Sequence, residues 1–174
     1  MDEKTIKTRY VYKGKILNLR LDNVLLPDGR ETPREIVEHP GAAAIVPFLP
    51  DGRIIFVKQY RKPVESFVLE IPAGTFKPGE APSRCARREL EEETGYRAEK
   101  MVKLLEYFPS PGYSSERITI FKATGLTKTG MRAEQDEFIH ARKINRPIII
   151  SLLRQGKIKD GKTIAGLLAV FDIT

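Results

Sequence analysis

Residues Gly74 to Tyr96 read GTFKPGEAPSRCARRELEEETGY. Proline and glycine crowd the first third of this stretch, and a run without either follows. The pattern predicts a helix over Ala81 to Thr94, led in by Pro78-Gly79-Glu80-Ala81-Pro82 and stopped at Gly95. Cys85, Ala86 and Leu90 are the candidates for its apolar face, with Cys85 placed as a small core residue on the side away from the acids. Four of the five positions from 89 to 93 are glutamate: Glu89, Glu91, Glu92 and Glu93. At helical spacing such acids repel by roughly a few tenths of a kcal/mol per i,i+4 pair, so something should offset the crowding.

A hard divalent cation would do so. Glu89 and Glu93 are i,i+4 neighbours and Glu92 follows Glu89 by three, so these carboxylates can reach one volume beside the helix, whereas Glu91 points away and reads as a solvated residue. Magnesium prefers oxygen ligands at ~2.0 to 2.1 Å and is usually held by a few carboxylates together with substrate phosphates. Arg88, four residues before Glu92, can hold a carboxylate rotamer. Gly74 and Gly79 let the backbone fold close, so that a carbonyl such as that of Ala73 can face the same volume. Glycine turn, acidic helix and arginine together describe a site for phosphate and metal.

Strand patterns crowd the sequence before the helix, at Arg9 to Asn18, Leu19 to Leu26, Glu31 to Glu38, Ala42 to Phe48 and Ile54 to Gln59. Pro27-Asp28-Gly29 and Pro50-Asp51-Gly52 are turn sequences, and they predict two hairpins. Beyond the helix, strands are expected at Leu104 to Phe108, Ile118 to Thr124 and Phe138 to Lys143, then helices at Pro147 to Gln155 and Thr163 to Phe171. Strands that outnumber helices point to an α/β class, an α/β/α sandwich on a mixed sheet.

The 174 residues suit one domain, with 41% hydrophobic and 30% charged residues in the globular range. A net charge of +7 without a run of five like charges reads as a general attraction to phosphate and makes nucleic acid an unlikely partner. The single cysteine, Cys85, excludes an intrachain disulfide and suits a reducing compartment. The start MDEKTIKTRY lacks the apolar core of a signal peptide, and no apolar run approaches the ~18 residues of a membrane span, so a cytoplasmic location is expected. His39 and His140 have no partner spacing and receive no ligand role.

The stretch resembles the signature of the Nudix hydrolases, GX5EX7REUXEEXGU with U a bulky apolar residue. Gly74, Glu80, Arg88-Glu89-Leu90, Glu92-Glu93 and Gly95 match it, and Tyr96 is a mild departure at the last position. The flanks Val57-Lys58-Gln59-Tyr60-Arg61, Leu69-Glu70-Ile71-Pro72-Ala73-Gly74 and Ser110-Pro111-Gly112-Tyr113-Ser114-Ser115-Glu116 are similar to the ADP-ribose pyrophosphatase branch, as is Gly161-Lys162-Thr163-Ile164-Ala165-Gly166.

The resemblance implies a Nudix-type α/β/α sandwich with a mixed β-sheet and an N-terminal antiparallel strand region. Residues 1–40 would serve dimerisation and substrate recognition, and 41–174 would form the hydrolase domain. It implies Mg2+, with Mn2+ as a substitute, held by the carbonyl of Ala73 with Glu89 and Glu93, and by Glu92 and Glu137 close by. Arg88 would position the carboxylates. Arg61 would hold phosphate, Arg34 and Glu35 the adenosine side, and Pro111, Gly112, Tyr113 and Glu116 belong to a substrate loop. A homodimer hydrolysing ADP-ribose to AMP and ribose 5-phosphate is implied; the alternatives are another nucleotide sugar or a dinucleotide, or a nucleotide-binding module of weak activity. Where relatives carry the general base, this chain has Gln135, whose amide takes no proton at neutral pH. Glu134, Glu92 and a metal-activated water remain as candidates for that task.

Overall fold

The computed structural model describes residues 2–130 and 139–171. They form two compact units, one within residues 1–41 and 108–117 and one within 42–107 and 118–174. In the first unit β1 (Lys4–Lys13), β2 (Asn18–Leu25) and β3 (Glu31–Glu38) make an antiparallel sheet in that order. Pro27-Asp28-Gly29 turns the chain between β2 and β3, where Gly29 adopts the left-handed φ of 84° and its N–H donates to the Leu26 carbonyl at 3.0 Å. Strand β1 begins and ends five residues before the expected Arg9 to Asn18, because the chain turns at Gly14, whose N–H bonds the Leu17 carbonyl. Within the same unit the Val37 N–H donates to the Tyr113 carbonyl at 2.8 Å and the Ser115 N–H to that of Val37 at 3.0 Å.

The second unit is built around β4 (Ala42–Pro47), six residues without a charge and all buried. Side chains alternate across a strand, so Ala42, Ala44 and Val46 join one apolar cluster while Ala43 and Ile45 join another. The first cluster takes Ile149 from α2 (Arg146–Arg154) and Leu167 from α3 (Gly161–Val170). The second takes Cys85, Ala86 and Leu90 from α1 (Pro82–Thr94). Helices thus cover the two faces of β4, which is the expected sandwich.

Two sheets lie between the helices. One has the order β7 (Ala73–Thr75), β4, β9 (Ile118–Lys128), β8 (Tyr96–Tyr107), with β4 and β9 parallel and the other pairs antiparallel. The other is antiparallel, in the order β10 (His140–Ile144), β5 (Ile54–Arg61), β6 (Ser66–Glu70). Pro50-Asp51-Gly52 makes its turn, but β4 and β5 join separate sheets and meet through one bridge, Phe48 with Ile54. The second expected hairpin is therefore only a corner. β6 and β7 were not anticipated. A 3-10 turn at Lys62–Val64 and Glu65 at φ 46° interrupt the pattern before β6, and β7 is only three residues long.

Helix α1 has Pro82 in its first turn and Gly95 as its left-handed cap at φ 72°, with the Gly95 N–H donating to the Glu91 carbonyl. The turn before it closes on Glu80, whose carboxylate accepts the Lys77 N–H at 3.0 Å and both Nε and Nη2 of Arg88. Helix α3 starts at Asp160, whose carboxylate accepts the Thr163 N–H at 2.9 Å. The Thr163 hydroxyl accepts the N–H of Ile71 at 2.8 Å, and both residues are fully buried.

Thr163→Val keeps the shape and leaves the Ile71 N–H without its acceptor, so urea unfolding should show a loss of ~1 to 3 kcal/mol, with Thr163→Ser losing less. The Arg88 hydrogen bonds hold the Glu80 carboxyl at about 2, against 4.5 without partners, on a side chain only 7% exposed. A depressed carboxyl pKa gives stability that is present above ~4.5 and is lost as pH falls towards ~2, here on the order of 3 kcal/mol. Glu80→Gln should accordingly be less stable than the parent at pH 7, and the gap in unfolding free energy should shrink steadily below pH ~4.5.

Candidate active site

Arg88, Glu89, Glu92 and Glu93 share helix α1 in the second unit, and Ala73 on β7 meets them there. Glu89 and Glu93 face the sheet from α1 and are buried, at 8% and 3% exposure. Glu89 lies against Gly74: a Cβ built there would overlap its carboxylate, so any larger residue would push that carboxylate aside. The carboxylate of Glu93 accepts the N–H of Ala73 at 3.0 Å. Glu92 is half-buried and accepts from Nη1 of Arg88 at 2.9 Å, and the same nitrogen donates to Glu89.

Arg88 gathers these acids. Its guanidinium pairs with Glu80, Glu89 and Glu92, and the hydrogen bonds it donates to Glu80, then the charge of Glu89 and the hydrogen bonds to Glu92 and Glu89, raise its pKa above the ordinary arginine value. Cys85 is not away from the acids, as the sequence suggested. It lies one turn before Glu89, with Sγ 3.4 Å from the Gly74 carbonyl oxygen and 3.5 Å from Nη2 of Arg88. Burial, and then the Glu89 charge, push its thiol up to about 12, which makes it a packing residue and not a nucleophile.

Arg61 ends β5. Its Nε and Nη2 donate to the carboxylate of Glu70 at 2.7 and 2.8 Å, and the charges of Glu93 and Asp160 add to the effect of Glu70 in raising its pKa. Glu70 is buried and also accepts from Lys162. Glu70, Lys162, Asp160 and Thr163 were not among the expected site residues. The available signal was Glu70 itself, a charge inside the apolar run Phe67-Val68-Leu69-Glu70-Ile71.

The remaining expected residues belong elsewhere. Arg34 and Glu35 are on β3 of the first unit, where Arg34 pairs with Glu3 through Nε at 3.0 Å and Glu35 is exposed opposite Leu21. Pro111, Gly112 and Tyr113 are exposed in that unit's second segment, and Glu116 lies 3.7 Å from Nδ1 of His39. That ring nitrogen accepts the Gly41 N–H at 3.1 Å, which suits His39 to holding the backbone and not to ligation. Glu134, Gln135 and Glu137 lie outside the described residues.

Among the described residues no three His, Cys, Asp or Glu side chains are gathered into a ready cage. The donor set nevertheless fits a hard divalent cation. Glu89 and Glu93 offer oxygen next to the Ala73 backbone, Gly74 leaves room, and the crowding of negative charge is already balanced by a cation, Arg88. Such a cluster can bind a charged phosphate through metal and orient a water, but has no activated thiol or hydroxyl for covalent attack.

The chain is similar to known proteins along most of its length. The model described as NUDIX domain matches residues 38–165, and that described as nucleoside diphosphate sugar hydrolase N-terminal domain matches 3–37. The chain is 41% identical over 165 residues to the methanol dehydrogenase activator of Bacillus methanolicus, covering 94% of this chain and 89% of that protein. It is 40% identical over 165 residues, with the same coverage, to the ADP-ribose pyrophosphatase of Bacillus subtilis (strain 168). A solved structure of an ADP compounds hydrolase shares the fold with a TM-score of 0.86 at 22% identity, over 98% of this chain and 92% of that one. With the domain model spanning most of its length and the acidic helix packed on Gly74, the chain belongs to the Nudix hydrolase family, enzymes that use divalent metal ions.

Proposed function

We propose that the protein hydrolyses the pyrophosphate bond of ADP-ribose, with Mg2+, to AMP and ribose 5-phosphate. The observation that carries this reading is the 40% identity, over 94% of the chain, to an ADP-ribose pyrophosphatase, and contacts among the signature residues support it. The carbonyl of Ala73 with Glu89 and Glu93 would hold the cation, with Glu92 and Glu137 as further ligands. Bound there, the cation neutralises the diphosphate and lowers the pKa of water.

The chain's own residues supply the rest. Arg88 keeps the rotamers of Glu89 and Glu92, which would otherwise repel each other. Arg61 stabilises the charge that grows on the phosphate oxygens as water adds to phosphorus and the P–O bond to the leaving phosphate breaks. The water's proton passes to Glu92 or Glu134; Gln135 can orient that water but cannot take its proton. Arg34 and Glu35 would meet the adenosine side, and Pro111, Gly112, Tyr113 and Glu116 the substrate loop.

A homodimer is part of the proposal. Every residue of β1 is exposed, with Ile6, Tyr10, Val11 and Tyr12 among the large apolar side chains left open on this edge strand, a surface suited to a second copy. No helix among the described residues is long and apolar enough to cross a membrane, and the one free cysteine suits the reducing cytoplasm proposed for it.

AMP release should be measured with and without Mg2+ on ADP-ribose, nucleotide sugars, NADH and nucleoside triphosphates. Preferred metal-dependent cleavage of ADP-ribose is expected. Preference for another member moves the substrate within the same chemistry, as the equal likeness to the methanol dehydrogenase activator allows. No cleavage anywhere overturns the enzyme reading in favour of a binding module. Glu93→Gln keeps an acceptor for the Ala73 N–H, so it should melt close to the parent while turnover falls by at least roughly a hundredfold. Unchanged turnover would remove Glu93 from the site.

A further inference from the structure

We infer that Glu70 is a positioning residue for Arg61, and that Lys162, carried by the first turn of α3, completes the device. The inference rests on the reading of Arg61 as a phosphate contact. Glu70 closes β6 and Arg61 closes the neighbouring β5. The carboxylate, 2% exposed, takes Nε and Nη2 of Arg61 in a two-point fork. A guanidinium has three nitrogens, and this fork fixes two of them. Nη1 is the one left over, on a side chain that is 40% exposed.

A lone buried carboxylate would cancel the charge of the arginine it holds. Here Glu70 also accepts from Nζ of Lys162, which in turn donates to Asp160 at 2.9 Å. Two cations therefore face two carboxylates, and Arg61 does not carry the whole charge of Glu70. Removing Lys162 would leave the pair of acids against Arg61 alone and weaken its pull on an anion. Burial raises the Glu70 carboxyl, and the hydrogen bonds and charges of Arg61 and Lys162 more than reverse this, so Glu70 stays ionised.

Stability does not explain the arrangement well. Well-packed apolar residues in place of a buried ion pair are often neutral or stabilising. Fixing an arginine while leaving one edge of it open is a use that apolar residues could not serve. The charge of Glu93 acts on Arg61, so its guanidinium lies within electrostatic reach of the acidic helix.

Affinity for ADP reads this directly, because ADP carries the diphosphate and needs no turnover. Calorimetric titration should compare the parent with Arg61→Met, Glu70→Gln, Lys162→Met and the doubles Arg61→Met/Glu70→Gln and Arg61→Met/Lys162→Met, each with a melting curve. Glu70→Gln and Lys162→Met are each expected to weaken ADP about fivefold or more in the parent, and less than about twofold once Arg61 is methionine. Equal losses in both backgrounds, no loss in either, or no ADP binding by the parent would overturn the inference. If Glu70→Gln does not fold, Lys162→Met, which leaves the Arg61–Glu70 fork in place, decides alone. Cleavage of ADP-ribose by the parent is scored separately, so failure of the substrate reading and failure of the positioning device give different results.

Discussion

Segment Glu70 to Gly74 is held from both helical layers, and the arrangement of the site depends on this. The Glu70 side chain is shared by Arg61 and Lys162, and the Ile71 N–H is taken by Thr163 of α3. Pro72 has no N–H to satisfy, and its carbonyl accepts from Ile45 of β4 at 2.9 Å. The Ala73 N–H is taken by Glu93 of α1, and Gly74 lets the Glu89 carboxylate lie directly on the backbone. Five successive residues thus connect a central strand, the acidic helix and the C-terminal helix. A buried backbone must have its hydrogen bonds met, and here the Thr163 hydroxyl and the Glu93 carboxylate meet two of them. The same contacts that satisfy the chain also aim the acids.

Charge follows the same economy. Arg88 balances Glu80, Glu89 and Glu92 on one side, and Glu70 with Asp160 balances Arg61 with Lys162 on the other. Partly buried ions are costly unless paired, which explains why arginines and acids are interleaved and not segregated. The outcome is a candidate site whose acids are held in place by protein cations, a form of preorganisation suited to phosphate chemistry.

Much of this was legible. The strand patterns at Glu31 to Glu38 and, as a continuous apolar run, at Ala42 to Phe48 match β3 and β4, and proline and glycine mark both ends of α1. The spacing of Glu89, Glu92 and Glu93 with Arg88 gave the heart of the candidate site. What sequence could not give were contacts closed by distant residues. Thr163 reaches Ile71 and Lys162 reaches Glu70 across ninety-two positions each, and no local pattern announces either. Short β7 has no period to detect, and the corner at Asp51 looks like a hairpin until the two strands are seen to join different sheets. The apolar character of Cys85 points it away from the acids, while its spacing of four from Glu89 puts it on their side of α1.

The most direct test of the central claim, that segment 70–74 and α1 together build a cation site, is a crystal structure grown with Mn2+ and read by anomalous scattering. The account predicts a peak bounded by the Ala73 carbonyl and the carboxylates of Glu89 and Glu93, with Arg88 still on Glu80. A principal peak held by other residues, with Glu93 still bound to the Ala73 N–H and taking no part, would contradict it.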